Sequence, residues 1–246
     1  MAAIAKNITF CVFPLLWSVS LGGSFSKTTI RGPKVDFYIR TTWHGEPVNH
    51  DPVKVTIGRI NLTDTLVYVQ APYFHGPPAK ENEDTESVQI YFLSAETQYY
   101  LLIELNPHSQ YRAQLFRGLG QSIRENLPLQ YVANIVGKYW HGEAHIPEDY
   151  YPPGVAKINI YAQHTVKGNI TYEALYPVPK DLYRFPQIPK LEYFEYLPRE
   201  LQGPGKLAPS AVWEEALQSN SASTSVTRLQ TLLSTFFLFS AVACQA

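Results

Sequence analysis

Short runs of β-branched and aromatic residues recur along the middle of the chain, and most end at Pro, Gly, Asn or Asp. Val53-Lys54-Val55-Thr56-Ile57 alternates strictly between apolar and polar positions, the pattern of a strand with one face buried. Comparable runs lie at 35–43, 65–70, 88–93, 99–105, 111–116, 131–140, 158–162 and 170–176. Gly76-Pro77-Pro78, Asn106-Pro107 and Pro152-Pro153-Gly154 mark loops. Strands this short at this spacing predict an all-β fold, an antiparallel β-sandwich of the jelly-roll-like kind. Helical periodicity is nearly absent, and a short helix is expected only over 211–218. Gly203, Pro204, Gly205 and Pro209 make 203–210 look like linker. The expected organisation is one β domain over 32–198, then a linker or stalk over 199–221.

The two ends read as segments outside that fold. Residues 1–26 carry Lys6 near the start, an apolar run from Ile8 to Leu21, and then Gly22, Gly23, Ser24 and Ser26. This is the order of a secretory signal peptide, with cleavage after Ser26 or after Ser20; the alternative is a buried N-terminal strand or an uncleaved anchor. At the other end, 229–246 holds no charge and follows the small polar stretch 219–225. Small residues, a polar spacer and a short apolar tail form a glycosylphosphatidylinositol-anchor signal, here 222–246 with Ser221 as the attachment residue. A tail helix is the alternative, but a spanning helix needs about 20 apolar residues. The expected address is therefore extracellular, either lipid-anchored to the membrane at the cell surface or secreted. Asn61-Leu62-Thr63 and Asn169-Ile170-Thr171 are glycosylation sequons suited to that address.

Composition narrows the function. With 20 Lys and Arg against 21 Asp and Glu, the chain lacks the basic excess of a nucleic-acid binder, and no nucleic-acid partner is expected. Cys11 and Cys244 are the only cysteines and fall in the two segments to be trimmed. A disulfide framework and a thiolate metal site are thereby excluded from the body.

Trp-His-Gly-Glu occurs twice, at 43–46 and 140–143. Each Trp ends an aromatic run, and each Gly permits a turn. One reading makes Trp43, His44, Trp140, His141 and Glu143 a ligand-binding set, with aromatic faces for sugar rings and polar groups for hydroxyls. The other makes both Trp residues core anchors, since large aromatics are usually buried. His141 and His145 do not form a zinc motif, because four residues along a strand span about 13 Å. No metal ligands and no cofactor are expected. Glu81, Glu83, Asp84 and Glu86 read as a solvated acidic loop. Glu104, Glu143 and Glu173 are carboxylates that a glycoside hydrolase would need in pairs, but nothing in the sequence pairs them. Haem would need His108 or His164 as axial ligand, without any accompanying motif. No catalytic residue is assigned.

Several segments resemble an uncharacterised family named after human chromosome 4 open reading frame 33. They are Thr42-Trp43-His44-Gly45-Glu46-Pro47-Val48 with His50 and Pro52-Val53, Ala71-Pro72-Tyr73-Phe74 with Pro77-Pro78-Ala79, and Glu104-Leu105 with Pro107-His108. Trp140, Gly142, Ala144, Pro147 and Tyr151-Pro152-Pro153 follow, then 172–179 and Leu191-Glu192-Tyr193-Phe194. The resemblance spans about 35–196. That family is similar, more distantly, to family 9 carbohydrate-binding modules, which implies a β-sandwich and a glycan ligand. Ser109 stands where a Gly commonly follows the Pro-His pair, and Pro189-Lys190 stands where a His is expected before Leu191. The leading expectation is a glycan-binding module; the alternative is a carbohydrate-active hydrolase.

Overall fold

The computed structural model describes residues 32–60, 64–75, 86–118, 120–183, 189–201 and 207–220, together with 18, 19 and 30. In chain order the strands are β1 (Ser18–Val19), β2 (Lys34–Ile39), β3 (Thr41–Thr42), β4 (Val53–Arg59), β5 (Asp64–Pro72), β6 (Ser87–Ser94) and β7 (Tyr99–Leu105). They continue as β8 (Gln110–Arg117), β9 (Gln121–Arg124), β10 (Gln130–Val136), β11 (Tyr139–Pro147), β12 (Val155–Val166), β13 (Asn169–Ala174) and β14 (Glu195–Tyr196). A helix, α1, covers 211–220.

One sheet runs β1-β8-β7-β6-β12-β13-β3, with β9 on β8 and β14 on β12; the other runs β10-β11-β5-β4-β2. Every pairing is antiparallel. The fold is the expected all-β sandwich.

Burial explains the patterns. β4 buries Val53, Val55 and Ile57 and leaves Lys54 and Thr56 on the outer face, so its sequence alternates. These side chains meet Val88, Ile90 and Phe92 of β6 and Leu101, Ile103 and Leu105 of β7 in the main core. β6 has no alternation of that kind because its other face is covered too. There Tyr91 and Leu93 join Trp43, Tyr100, Leu102, Tyr161, Val178 and Phe194 in a second apolar cluster.

Two expectations change. The run 131–140 is not one strand: the chain turns at Gly137-Lys138, and β10 pairs back on β11 from Val136↔Tyr139 to Gln130↔His145. The second half of 199–221 is not a free stalk. Trp213 and Ala216 of α1 are buried in the main core. The Trp213 indole stacks on Tyr99 at 5.5 Å and 11°, and its Nε1–H donates to the Tyr150 carbonyl at 3.0 Å. Within 1–26, Ser18 and Val19 pair with Tyr111 and Gln110 of β8. The rest of that segment, Asn61, Ser221 and the anchor signal 222–246 lie outside the described residues.

Candidate functional site

The structure divides the residues expected to bind ligand. Trp43 is 3% and Trp140 1% exposed, so neither offers a face to a sugar. Trp43 packs in the outer cluster, and its carbonyl accepts the Val178 N–H at 2.9 Å. Trp140 points into the main core from β11. The two tetrapeptides therefore match in sequence and differ in structure. Gly45 occupies a turn with φ +87°, its N–H donating to the Thr42 carbonyl at 2.9 Å. Gly142 sits mid-strand instead, where a Cβ would meet the Tyr131 hydroxyl at 2.9 Å and the Trp140 ring at 3.1 Å. His44 is half-buried beside Trp43, remote from the sheet that carries His141 and Glu143.

His141 and Glu143 do share a face, the outer face of the five-stranded sheet. Strand register sets side chains there in rows. One row is Asp36, Thr56, Tyr68, Glu143 and Val132; the next is Tyr38, Lys54, Gln70, His141 and Asn134. The first row is knitted together internally. The Thr56 hydroxyl donates to Asp36 at 2.6 Å, Lys54 reaches across to Asp36 at 2.8 Å, and His145 lies 3.2 Å from Glu143. Burial, and secondly the Glu143 charge, raise the Tyr68 hydroxyl to a pKa of about 12. The second row is open. Gln70 and Asn134 are exposed and His141 half-exposed, and none of the three side chains has a hydrogen bond within the described residues.

A second constellation, not expected from the sequence, occupies one end of the sandwich. Glu173 on β13 is buried with 0% exposure. Its Oε1 lies 2.9 Å from His50 Nε2 and 3.1 Å from His164 Nδ1. His50 belongs to the loop between β3 and β4, and His164 to β12. Phe74 stacks on the His164 ring at 3.7 Å and 6° and meets the His50 ring edge-on at 5.2 Å. The Phe74 N–H donates to the buried Glu86 carboxylate at 3.1 Å, so Glu86 is part of this wall rather than of a solvated loop. His50 and Glu173 stand 123 residues apart, and no spacing rule joins them. The legible signal was the period of β12: Ile158, Ile160 and Ala162 face the core, and His164 continues that row.

The hydrolase alternative finds no support here. Glu104 faces the outer side of the larger sheet, paired with Arg112 at 2.7 Å. Glu143 lies on the outer face of the smaller sheet and Glu173 between the sheets. These carboxylates stand on three different surfaces, whereas glycoside hydrolysis needs two flanking one bond. At the end opposite the histidines, a cavity of ≈ 440 Å³ is lined by Ile57, Phe92, Tyr151, Leu197 and Leu201. Its charged wall, Arg59 and Glu148, is paired at 3.6 Å. The sequon residue Asn169 is exposed at the β12–β13 turn.

No family model matches the chain. Among solved structures it is similar to a candidate carbohydrate-binding protein from Bacteroides uniformis, at TM-score 0.50 and 12% identity, over 66% of this chain and 85% of that one. It is also similar to a family 9 carbohydrate-binding module from Caldicellulosiruptor kristjanssonii in complex with cellotriose, at TM-score 0.45 and 11% identity, over 63% and 81%. At such identities the first likeness speaks for the fold alone. Sequence relatives are nearer. The UPF0462 protein C4orf33 homologue of Danio rerio is 38% identical over 198 residues, 74% of this chain and 99% of its own length. The human UPF0462 protein C4orf33 is 37% identical over 173 residues, 66% of this chain and 85% of its own length. The chain belongs to the UPF0462 family of C4orf33 homologues.

Proposed function

We propose that the chain is a glycan-binding β-sandwich module that takes its ligand across the outer face of the five-stranded sheet. The reading is carried by the open row Gln70, His141 and Asn134, flanked by Lys54 and Tyr38. Amide and imidazole groups without partners among the described residues suit sugar hydroxyls, which both donate and accept. Five strands about 4.8 Å apart give a row of about 19 Å, long enough for an oligosaccharide. The fold-level likeness to a candidate carbohydrate-binding protein is consistent with this reading and is not its basis. The module works at the cell surface or as a secreted protein, on the strength of the signal-like 1–26 and the anchor-like 222–246.

A glycan array probed with the full chain tests the binding. The expected result is a defined set of oligosaccharides, with affinity reduced roughly 10-fold or more in a Gln70→Ala, His141→Ala variant that remains folded. Absence of any binding by the folded parent, or equal binding by the variant, overturns the reading. Release of the chain from expressing cells by a phosphatidylinositol-specific phospholipase tests the address; an intracellular, unprocessed chain refutes it.

A further inference from the structure

We propose that His50, His164 and Glu173 form a binding site for one divalent transition-metal ion of the zinc type. The donor atoms of the three side chains lie within 4.8 Å of one another. They come from a loop and two strands that the fold alone brings together.

Hydrogen-bond chemistry carries the inference. The Nδ1 of His50 is 2.9 Å from the Asp51 carbonyl oxygen. A carbonyl only accepts, so Nδ1 must carry the hydrogen. In a neutral ring Nε2 is then a bare lone pair, and it points at Glu173 Oε1 from 2.9 Å. Two acceptors facing each other need a proton or a metal cation between them. A metal-bound imidazole has this arrangement: one nitrogen on the ion and the other N–H held by a carbonyl.

Glu173 supplies the second, independent observation. The residue is wholly buried, and its Oε2 has no hydrogen-bond partner among the described residues. Both imidazole nitrogens approach Oε1, while Oε2 is left without a partner among the described residues. A buried carboxylate in that condition is costly unless a proton or a cation neutralises it. A metal ion at the centre of the group takes a carboxylate oxygen and both imidazole nitrogens together.

The surroundings suit such a site. The stacked Phe74 ring holds His164 in one orientation and walls His50. His50 keeps 14% of its side chain exposed, which gives an ion an entry path. Two imidazoles and one carboxylate are a zinc donor set with a fourth position left for water. They do not suit calcium or magnesium, which prefer oxygen donors. In a tetrahedral zinc site with bonds near 2.0–2.1 Å, neighbouring donors lie about 3.4 Å apart. The observed 2.9 and 3.1 Å separations reach that by small side-chain shifts.

The test is calorimetric titration of Zn²⁺ into the full chain after stripping with a chelator. The expected result is one equivalent bound per chain, with at least about 100-fold weaker binding in both Glu173→Gln and His50→Ala, and a thermal shift on Zn²⁺ addition only in the parent. Glu173→Gln keeps the side chain's volume. His50→Ala changes a partly exposed loop residue, so it decides the matter if the first variant fails to fold. A His145→Ala variant is expected to bind like the parent. The proposal is overturned if the folded parent binds no stoichiometric Zn²⁺, if binding survives both site variants, or if it is lost with His145.

Discussion

Replacing Trp213 by Ala tests whether α1 belongs to the folded module. Trp213 is fully buried, stacks on Tyr99 and donates its indole N–H to the Tyr150 carbonyl. Truncating a buried Trp to Ala removes its transfer free energy and leaves a cavity, together about 3–5 kcal/mol. That range already contains the stacking on Tyr99. The loss compares with a total stability of about 5–15 kcal/mol for a domain. For a body of this size each kcal/mol lowers Tm by about 2–4 °C, so the expected fall is on the order of 10 °C. Urea unfolding followed by far-UV circular dichroism gives the free energy directly. Trp213→Phe keeps most of the apolar area and removes the hydrogen bond, and is expected to cost about 1–2 kcal/mol. Leu207→Ala, at a position 78% exposed, should change stability by less than about 0.5 kcal/mol. A loss below about 1 kcal/mol in Trp213→Ala would refute the argument and return 199–221 to the status of a stalk.

Three further outcomes are expected. Gly142→Ala should destabilise the fold by about 1–3 kcal/mol, because its Cβ would press on the Tyr131 hydroxyl and Trp140 ring; a neutral effect in denaturant titration would contradict the packing. Tyr131→Phe removes the donor to the buried Asn106 carbonyl, a bond of 2.5 Å, and should cost about 1–3 kcal/mol in the same assay; an unchanged midpoint would count against it. Tyr68, with its pKa raised to about 12, contributes stability that is whole below the ordinary phenol value of about 10 and is lost as pH rises from there to about 12. Glu143→Gln should bring its tyrosinate absorbance titration back toward 10, and no movement would show that Glu143 plays no part.

The sequence made the strands legible where one face meets water. β4 alternates because Lys54 and Thr56 face out and Val55 faces in. It was less informative where both faces are covered. Around Tyr91 and Tyr100, aromatic residues fill both sides of the larger sheet, and periodicity cannot say what lies outside. The β10–β11 hairpin was hidden because Gly137-Lys138 is a weak turn signal between two β-rich runs. For the candidate site, His141 and Glu143 were found through a repeated tetrapeptide, but their neighbours Gln70 and Asn134 come from adjacent strands. Only register places them in one row. His50, His164 and Glu173 needed the β12–β13 pairing and a loop from the opposite sheet.

The positions of the histidine triad and of α1 fit one structural requirement. The described body contains no cysteine, so its two sheets are not joined by disulfides and must be closed by packing and polar contacts. At one end α1 does this: Trp213 touches Tyr99 at the start of β7 and the Tyr150 carbonyl just beyond β11, and so spans the two sheets. At the other end the chain crosses from β3 of the larger sheet to β4 of the smaller, and His50 lies in that crossover. Asp51 ties the crossover to the smaller sheet by accepting from the Tyr139 hydroxyl and, at 3.1 Å, from Lys138. Its carbonyl fixes His50, while Glu173 and His164 belong to the larger sheet. A cation held by all three therefore bridges the sheets at a point where no covalent link exists. Because an ion that binds only the folded chain stabilises it in proportion to the logarithm of its concentration over Kd, the triad would close this end in a metal-dependent way, while α1 closes the other end by apolar packing alone.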